Sequence, residues 1–386
     1  MVPHARVVED IQRLHDMLES GMCSLEDSIM ELPSALYLDA NYWKREVDTL
    51  FYKRPILLGL SCEIPKPNSY SALEGVPGFR ILLTRDGDGK AHAFFNSCRH
   101  RGAPVASGRG SAARVSCPYH AWTYSTDGSL VGVPQDKLFG RCDKASHGLA
   151  EIRVEERHGL IFGVLDPEAP FDLDEALGEF EPELASLDLE DTHLLWVETY
   201  QGPNWKFCRD GYIESYHFQT VHSESLPNLI GSINVTDHFG DHSLILLPNN
   251  EIRSEVSLPE NDWTGPRALS DVYVMFPNTQ LSTARSDFPL IVRVFPGPTP
   301  ETSTGVQMLL SRKTPDDAIR AEGEAQLEMY RQVTQREDYV LDYAIQDAAE
   351  NNNGRPFLLG RNEAAVQHFH KTIARYVDQP VDEEVG

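Results

Sequence analysis

Two short pairs of residues in this chain have the types and spacing to bind metal. Cys98-Arg-His100 is followed, after sixteen intervening residues, by Cys117-Pro-Tyr-His120. Two thiols and two imidazoles in paired loops suit a tetrahedral zinc ion, although such sites usually have wider gaps within each pair. They also suit a two-iron cluster with cysteines on one iron and histidines on the other, an arrangement that raises the reduction potential. About ninety residues on, NWKFCRDGYIESYHFQTVH holds Glu214, His217 and His222. Two histidines and a carboxylate form the facial triad of non-haem Fe(II) oxygenases, with positions left open for O2 and substrate. A five-residue spacing turns an ideal helix by about 140°, so both rings reach one ion only where the helix is distorted or ends. The plain alternative is a pair of helix histidines in an aromatic-rich core.

The segments NSCRHRGAPV and SCPYHAWTYSTDGSLVGVP extend the first pattern beyond its four ligands, through Arg101, Gly102, Pro118, Tyr119, Trp122, Tyr124 and Gly128. In this they resemble the cluster-binding segment of Rieske non-haem iron oxygenases, the ring-hydroxylating oxygenase alpha subunit family. The second segment resembles that family's iron-site motif, with Asn-Trp-Lys ahead of a carboxylate, Tyr-His and a later histidine. The resemblance implies that Cys98 and Cys117 hold one iron of a Rieske [2Fe–2S] cluster, and His100 and His120 the other. It makes His217 and His222 ligands of a mononuclear Fe(II). The third ligand comes from REDYVLDYAIQDAAENNNG, which resembles the family's Glu-Asp helix ending in Gln and points to Asp338; Asp342 and Asp347 on the same predicted helix are the fallback candidates. Glu214 falls where the family has a carboxylate that joins an iron-ligand histidine, here His217, to His120 or His100 of a neighbouring subunit. Many members have Asp there, so this chain's arm is one methylene longer. Asp210, four residues earlier on the same predicted helix, would support that site.

The resemblance further implies an electron donor, a ferredoxin and/or flavin reductase, because the chain has no flavin or nicotinamide fingerprint and no second cysteine cluster. It implies a homotrimer, O2 as co-substrate and a small organic substrate. An aromatic compound is the first expectation for that substrate. Glu214-Ser-Tyr-His217 and the C-terminal GRNEAAVQHFHKTIARY also resemble members acting on quaternary amines such as carnitine and betaines, which gives the alternative of a monooxygenase or N-demethylase. An amine pocket needs an aromatic cage. Tyr212, Phe218, Phe276 and Trp263 are available, though each also suits an ordinary core, and Cys208 suits either a pocket wall or a small buried site.

These residues need loops on a β scaffold for the cluster and helices for the iron. From Pro55 to Pro167 short strand-like runs alternate with Gly, Pro and Asp turns, and Asp86-Gly-Asp-Gly reads as a hairpin. Helical patterns cover about 8–18, 40–51, 315–350 and 363–377, with a helix after Asn204. EAPFDLDEALGEFEPELASLDLED reads as an acidic surface helix and linker. Strand patterns run through LILLPN, DVYVMFPNTQLS, LIVRVFPG and TGVQMLLSRK. The expectation is an α+β protein: a small all-β Rieske [2Fe-2S] domain over 52–165, and a catalytic mononuclear iron domain over 1–51 and 166–386. By resemblance the latter is a helix-grip fold on an antiparallel sheet. The acidic tail after Asp378 reads as disordered.

The bulk composition narrows the class. With 386 residues and 41% hydrophobic content the chain can bury a substantial core. A net charge of −25 disfavours nucleic acid and anionic membrane surfaces, and would suit a basic patch on a redox partner. No apolar stretch approaches the roughly 18 residues needed to span a bilayer. The first residues lack the apolar core of a secretion signal, so a cytoplasmic location is expected. Six cysteines in so long a chain do not make a disulfide scaffold.

Overall fold

The short β-branched and aromatic runs between Gly, Pro and Asp turns form an antiparallel sheet, because alternate side chains can pack inward while the turns reverse the chain. The computed structural model describes residues 2–73, 78, 80–140, 142–351 and 354–378. The acidic tail beyond Asp378 lies outside them. The chain divides into two compact units. One comprises Phe51–Ala176 with Asp188–Leu194, and the other Met1–Leu50, Leu177–Leu187 and Leu195–Gly386.

The smaller unit contains a seven-stranded sheet. Its strands, in order, are Ile56–Leu60, Leu160–Val164, Glu151–Arg157, Ala91–Phe95, Ile81–Arg85, Ser69–Leu73 and Arg109–Ser111. The predicted Asp86 hairpin is present, with Arg85 opposite Ala91. A separate three-stranded sheet, Arg114–Ser116, Thr123–Ser125 and Leu130–Gly132, carries the second cysteine loop. Phe94, Tyr124, Trp122, Val105, Cys98 and Cys117 share one buried cluster. Glycine at 128 is required there: its φ is +83°, and a Cβ would stand 2.4 Å from the Phe94 ring.

The larger unit is built on a seven-stranded antiparallel sheet with the order His193–Gly202, Ser303–Ser311, Leu290–Pro296, Thr279–Ser282, Leu269–Met275, His242–Pro248 and Val235–Phe239. The C-terminal helix Ala364–Val377 packs against the strands at its far end, and the helix Trp205–Tyr212 against Leu290–Pro296. This is the helix-grip arrangement. The segment read as an acidic helix and linker is two short helices, Leu173–Leu177 and Glu181–Ala185. Its Leu173, Leu177, Phe180 and Leu184 are buried, since the apolar residues between its acids reach core. The single pattern read over 315–350 is two α-helices, Asp317–Arg331 and Tyr339–Glu350, joined by a π-helical stretch Gln332–Asp338. Among the described residues no helix is long and apolar enough to cross a membrane.

Candidate metal centres

Each cysteine loop is closed by its own backbone. Cys98 N–H donates to the Ala103 carbonyl and Gly102 N–H returns to the Cys98 carbonyl, both at 2.8 Å. The second loop repeats the pattern, with Cys117 N–H to the Trp122 carbonyl at 2.8 Å and Ala121 N–H to the Cys117 carbonyl at 2.9 Å. The reversals need left-handed residues, and Gly102 (φ 79°) and Ala121 (φ 55°) supply them. Both thiols end up buried, while His100 and His120 are more open and their rings lie 4.7 Å apart. His100 stacks on Trp122 at 5.2 Å, and the exposed Tyr119 lies over His120 at 3.9 Å. The buried Tyr124 hydroxyl lies 3.3 Å from Cys98 Sγ and accepts from Arg99 N–H at 3.0 Å. Paired buried sulfurs beside paired accessible imidazoles are the donor set a [2Fe–2S] cluster with mixed ligation requires. A hydroxyl donor beside a sulfur is one of the groups that tune its potential.

The second centre is assembled on the larger unit. Asn204 starts the helix Trp205–Tyr212 by accepting from Lys206 N–H at 2.9 Å. Its own side chain donates to the carbonyls of Tyr37 and Pro300, and its N–H donates to Gln346 Oε1 at 2.6 Å. The Asn-Trp-Lys motif is thereby clamped to the helix that follows Asp338. Trp205 Nε1 and Lys206 Nζ both donate to Glu46, the latter at 2.6 and 2.7 Å, and Lys206 and Glu46 are almost wholly buried. Burial drives Lys206 down and Glu46 up, against their mutual attraction.

The helix stops at Tyr212, so Asp210 and Glu214 do not share it as the sequence suggested. The reason is local: Glu214 Oε2 accepts the backbone N–H groups of Tyr216 and His217, and so caps a fresh turn instead of prolonging the old one. His217 and His222 then flank a single helical turn, Phe218–Val221. This ending of the helix lets both rings converge despite the five-residue spacing.

Their Nε2 atoms lie 3.1 Å apart, and Asp338 Oδ1 stands 2.8 Å from His222 Nε2 and 3.6 Å from His217 Nε2. Among the described residues, these three form the one group of at least three donors with atoms all within 4.8 Å. The π-helical stretch ends on Asp338 and aims it at the histidines, the kind of helix distortion common at functional sites. Of the fallback acids, Asp342 is buried one turn further on and Asp347 is exposed, and neither joins the trio.

Each histidine turns its other nitrogen to a carboxylate. His217 Nδ1 contacts Glu214 Oε1, and His222 Nδ1 contacts Glu337 Oε2 at 2.7 Å. Carboxylates on Nδ1 fix the tautomer in which Nε2 is free to bind a metal. Glu337 is itself held by Ser225 Oγ at 2.6 Å and Gln332 Nε2 at 2.9 Å. Burial pushes Glu337 up, but those hydrogen bonds and the one from His222 keep it below its usual range. Burial also opposes charge on His222, yet Asp338 and then Glu337 outweigh it and raise its pKa. Sequence reading missed Glu337, although it stands beside Asp338 in the same dipeptide.

Asp210 does not touch the trio. It accepts from Tyr37 Oη at 2.5 Å and pairs with His370 Nε2 at 2.9 Å, partners at opposite ends of the chain. The four aromatic candidates separate. Phe218 lies 4.9 Å from His217 and 5.4 Å from His222. Tyr212 Oη meets Tyr200 Oη at 3.0 Å. Phe276 packs on Phe369 and Tyr376, and Trp263 donates to the Leu258 carbonyl. Cys208 is buried against Ser303 Oγ, and burial raises its thiol.

Comparison with known proteins finds matches over the segments that carry both centres. A family model described as the Rieske [2Fe-2S] domain matches residues 56–142, and one described as the ring hydroxylating alpha subunit catalytic domain matches residues 192–379. The chain belongs to the Rieske non-haem iron oxygenases. Its cofactors are accordingly a [2Fe–2S] cluster and a mononuclear iron. The carnitine monooxygenase oxygenase subunit of Escherichia coli is 27% identical over 373 residues, covering 93% of this chain and 97% of that protein. The glycine betaine monooxygenase oxygenase subunit of Pseudomonas aeruginosa is 32% identical over 224 residues, 58% of this chain, and the matched stretch spans half the length of that relative. Among solved structures, a quaternary ammonium Rieske monooxygenase in complex with L-carnitine superimposes with a TM-score of 0.76 at 22% identity, over 90% of this chain and 95% of that one. Naphthalene 1,2-dioxygenase from Rhodococcus sp. gives 0.72 at 20% identity, over 96% and 98%. Both structural likenesses establish the oxygenase fold.

Proposed function

We propose that this oxygenase is the terminal component of a system that monooxygenates a quaternary amine at a carbon bonded to nitrogen. Cys98, Cys117, His100 and His120 would hold the cluster, and His217, His222 and Asp338 the mononuclear iron. When bound, the cluster would supply one-electron transfer from a ferredoxin or flavin reductase, and the iron would supply O2 activation beside the substrate. The net change is one O2, two electrons and two protons consumed, with one oxygen atom entering a C–H bond and the other leaving as water. The resulting N–C–OH carbon then loses its C–N bond, giving an amine, an aldehyde and a proton.

The observation that carries the substrate class is the charge around the centre. Asp338, Glu214 and Glu337 surround the histidine pair with three carboxylates, one negative charge more than a bound ferrous ion would offset. Such a field favours a cation and opposes an anionic aromatic acid. Relatives named for carnitine and glycine betaine support the same choice. The residues' own tasks are to fix both Nε2 atoms toward the metal and to keep Glu214 on His217 Nδ1. In a homotrimer, Glu214 would also face a neighbour's His120 or His100 as its second partner. Six unpaired cysteines suit a cytoplasmic setting.

The test is a turnover screen of protein loaded with iron and cluster, with a reductase and O2, setting carnitine, glycine betaine and choline against benzoate and naphthalene. Aldehyde formed from an amine, matched to O2 consumed, is the expected result. Hydroxylated arene with no aldehyde would overturn it in favour of ring hydroxylation.

A further inference from the structure

The segment that carries the cluster loops is charged against the rest of the chain. Residues 91–150 hold seven Lys and Arg against three Asp and no Glu, a net charge of +4 in a chain whose total is −25. Arg99, Arg101, Lys137 and Lys144 are all exposed. Among the described residues none of the four pairs with a carboxylate: Arg101 lies over the Tyr119 ring, and Lys144 donates to the Val131 carbonyl. Uncompensated cations grouped on one segment make a local positive field, whatever the sign of the whole molecule.

Two of these lysines stand beside the cluster's histidine edge. Lys137 and Lys144 line an open groove of about 360 Å³ with Val133, Asp136, Gly140 and Cys142. The turn Asp136–Phe139 beside it leaves Leu138 83% exposed and Phe139 half exposed. The Phe139 ring lies 5.5 Å from His100 and 5.4 Å from Trp122, which itself stacks on His100. Electron transfer falls off steeply with distance, so an exposed ring against a cluster ligand is a short way in from solvent. An exposed apolar pair rimmed by charges has the composition of a protein contact.

We propose that Lys137, Leu138, Phe139 and Lys144 form the docking surface for the electron donor, and that the donor's own docking face is acidic. A basic partner is what the whole-chain charge suggests, but steering acts on the charge near the contact and fades within a Debye length of about 8–10 Å. The donor is a one-electron protein, a ferredoxin or a reductase. In each encounter it gives up one electron and leaves oxidised, and the cluster is left reduced. The inference rests on the oxygenase reading above and adds the chemistry of the partner. Leu138 and Phe139 give the contact an apolar centre and the lysines a charged rim, as suits a small and transient redox interface.

The oxidised holoenzyme is titrated calorimetrically with an oxidised, acidic plant-type ferredoxin. Stopped flow then follows bleaching of the cluster by the reduced ferredoxin and by methyl viologen radical cation. Ferredoxin binding should weaken by about tenfold or more between roughly 0.05 and 0.3 M salt. Lys137→Glu with Lys144→Glu should weaken that binding and slow ferredoxin's electron transfer about tenfold, while the small cation reduces the cluster as fast or faster. Lys90→Glu, at the far end of strand Ala91–Phe95 from the Cys98 loop, controls for net charge and should stay within about twofold. Binding that ignores both salt and the double reversal would overturn the surface. Equal slowing of both donors would overturn it too, by placing the damage in the cluster. So would a changed sedimentation velocity with ferredoxin binding unchanged, which would assign the face to a contact between copies of this chain. A cluster that viologen reduces but ferredoxin neither binds nor reduces at low salt overturns the surface alone. A protein with no reducible cluster overturns the oxygenase reading with it.

Discussion

The cluster residues all lie between positions 98 and 120, in two loops that each close on their own backbone. The second centre joins His217 and His222 to Asp338, from segments far apart in sequence. That distance has to be bridged by other contacts: Asn204 to Gln346, Lys206 and Trp205 to Glu46, and Glu337 to His222. A centre made of local turns depends on few partners, whereas one made of distant segments depends on every clamp between them.

The largest expected effects separate the two centres outright. Cys117→Ser should abolish the cluster and leave mononuclear iron bound, while His222→Ala should abolish that iron and all turnover with the cluster intact. Iron and acid-labile sulfide counted per chain decide this, and loss of both metals from either variant would break the contrast.

Next comes the clamp beneath the iron helix. Lys206→Met strands Glu46 in the core and should cost roughly 3–5 kcal/mol. Adding Glu46→Leu should recover much of it, and urea midpoints of the two variants measure the difference. A single variant as stable as the wild type would show that the pair clamps nothing.

Glu337→Gln keeps the shape but loses the charge on His222 Nδ1. Iron affinity or turnover should fall by about 10–100-fold with the cluster signal unchanged. Equal damage to the cluster would contradict the separation.

The smallest effect concerns acid. Hydrogen bonds hold two turn carboxylates of the cluster unit below their usual range, Asp86 chiefly by His92 and Asp127 chiefly by Ser125. A carboxyl held low in the fold contributes stability that is complete above its unfolded value, about 4, and is lost as pH falls through the folded value. Asp86→Asn with Asp127→Asn should flatten the loss of cluster absorbance between about pH 5 and 3 and shift melting by a few degrees at most. An unchanged acid limb would place acid sensitivity elsewhere.

The legible parts of the site follow this contrast. Cys98, His100, Cys117 and His120, like the His217–His222 spacing, stand close together in the chain, and a pattern read along the chain finds such groups. Asp338 was reached by resemblance, because an acid on a predicted helix is indistinguishable from a solvated one. The π-helical turn that aims it has no local signature, nor does the cap by Glu214 that ended a helix read as continuous. Asp210 was placed near the site, but its partners Tyr37 and His370 come from opposite ends of the chain, where no spacing rule connects them.

The sequence by itself determined which residues of the cluster loops offer metal-binding atoms, the β-then-mixed order of elements and the family, since these depend on residue type, short spacing and hydrophobic period. Only the tertiary structure decided which acid meets the two histidines, which carboxylate holds each ring, and that Asp342 is buried beside them without a hydrogen-bond partner. Those depend on how distant segments pack, and a side chain's burial and neighbours are properties of that packing, absent from any local stretch of chain.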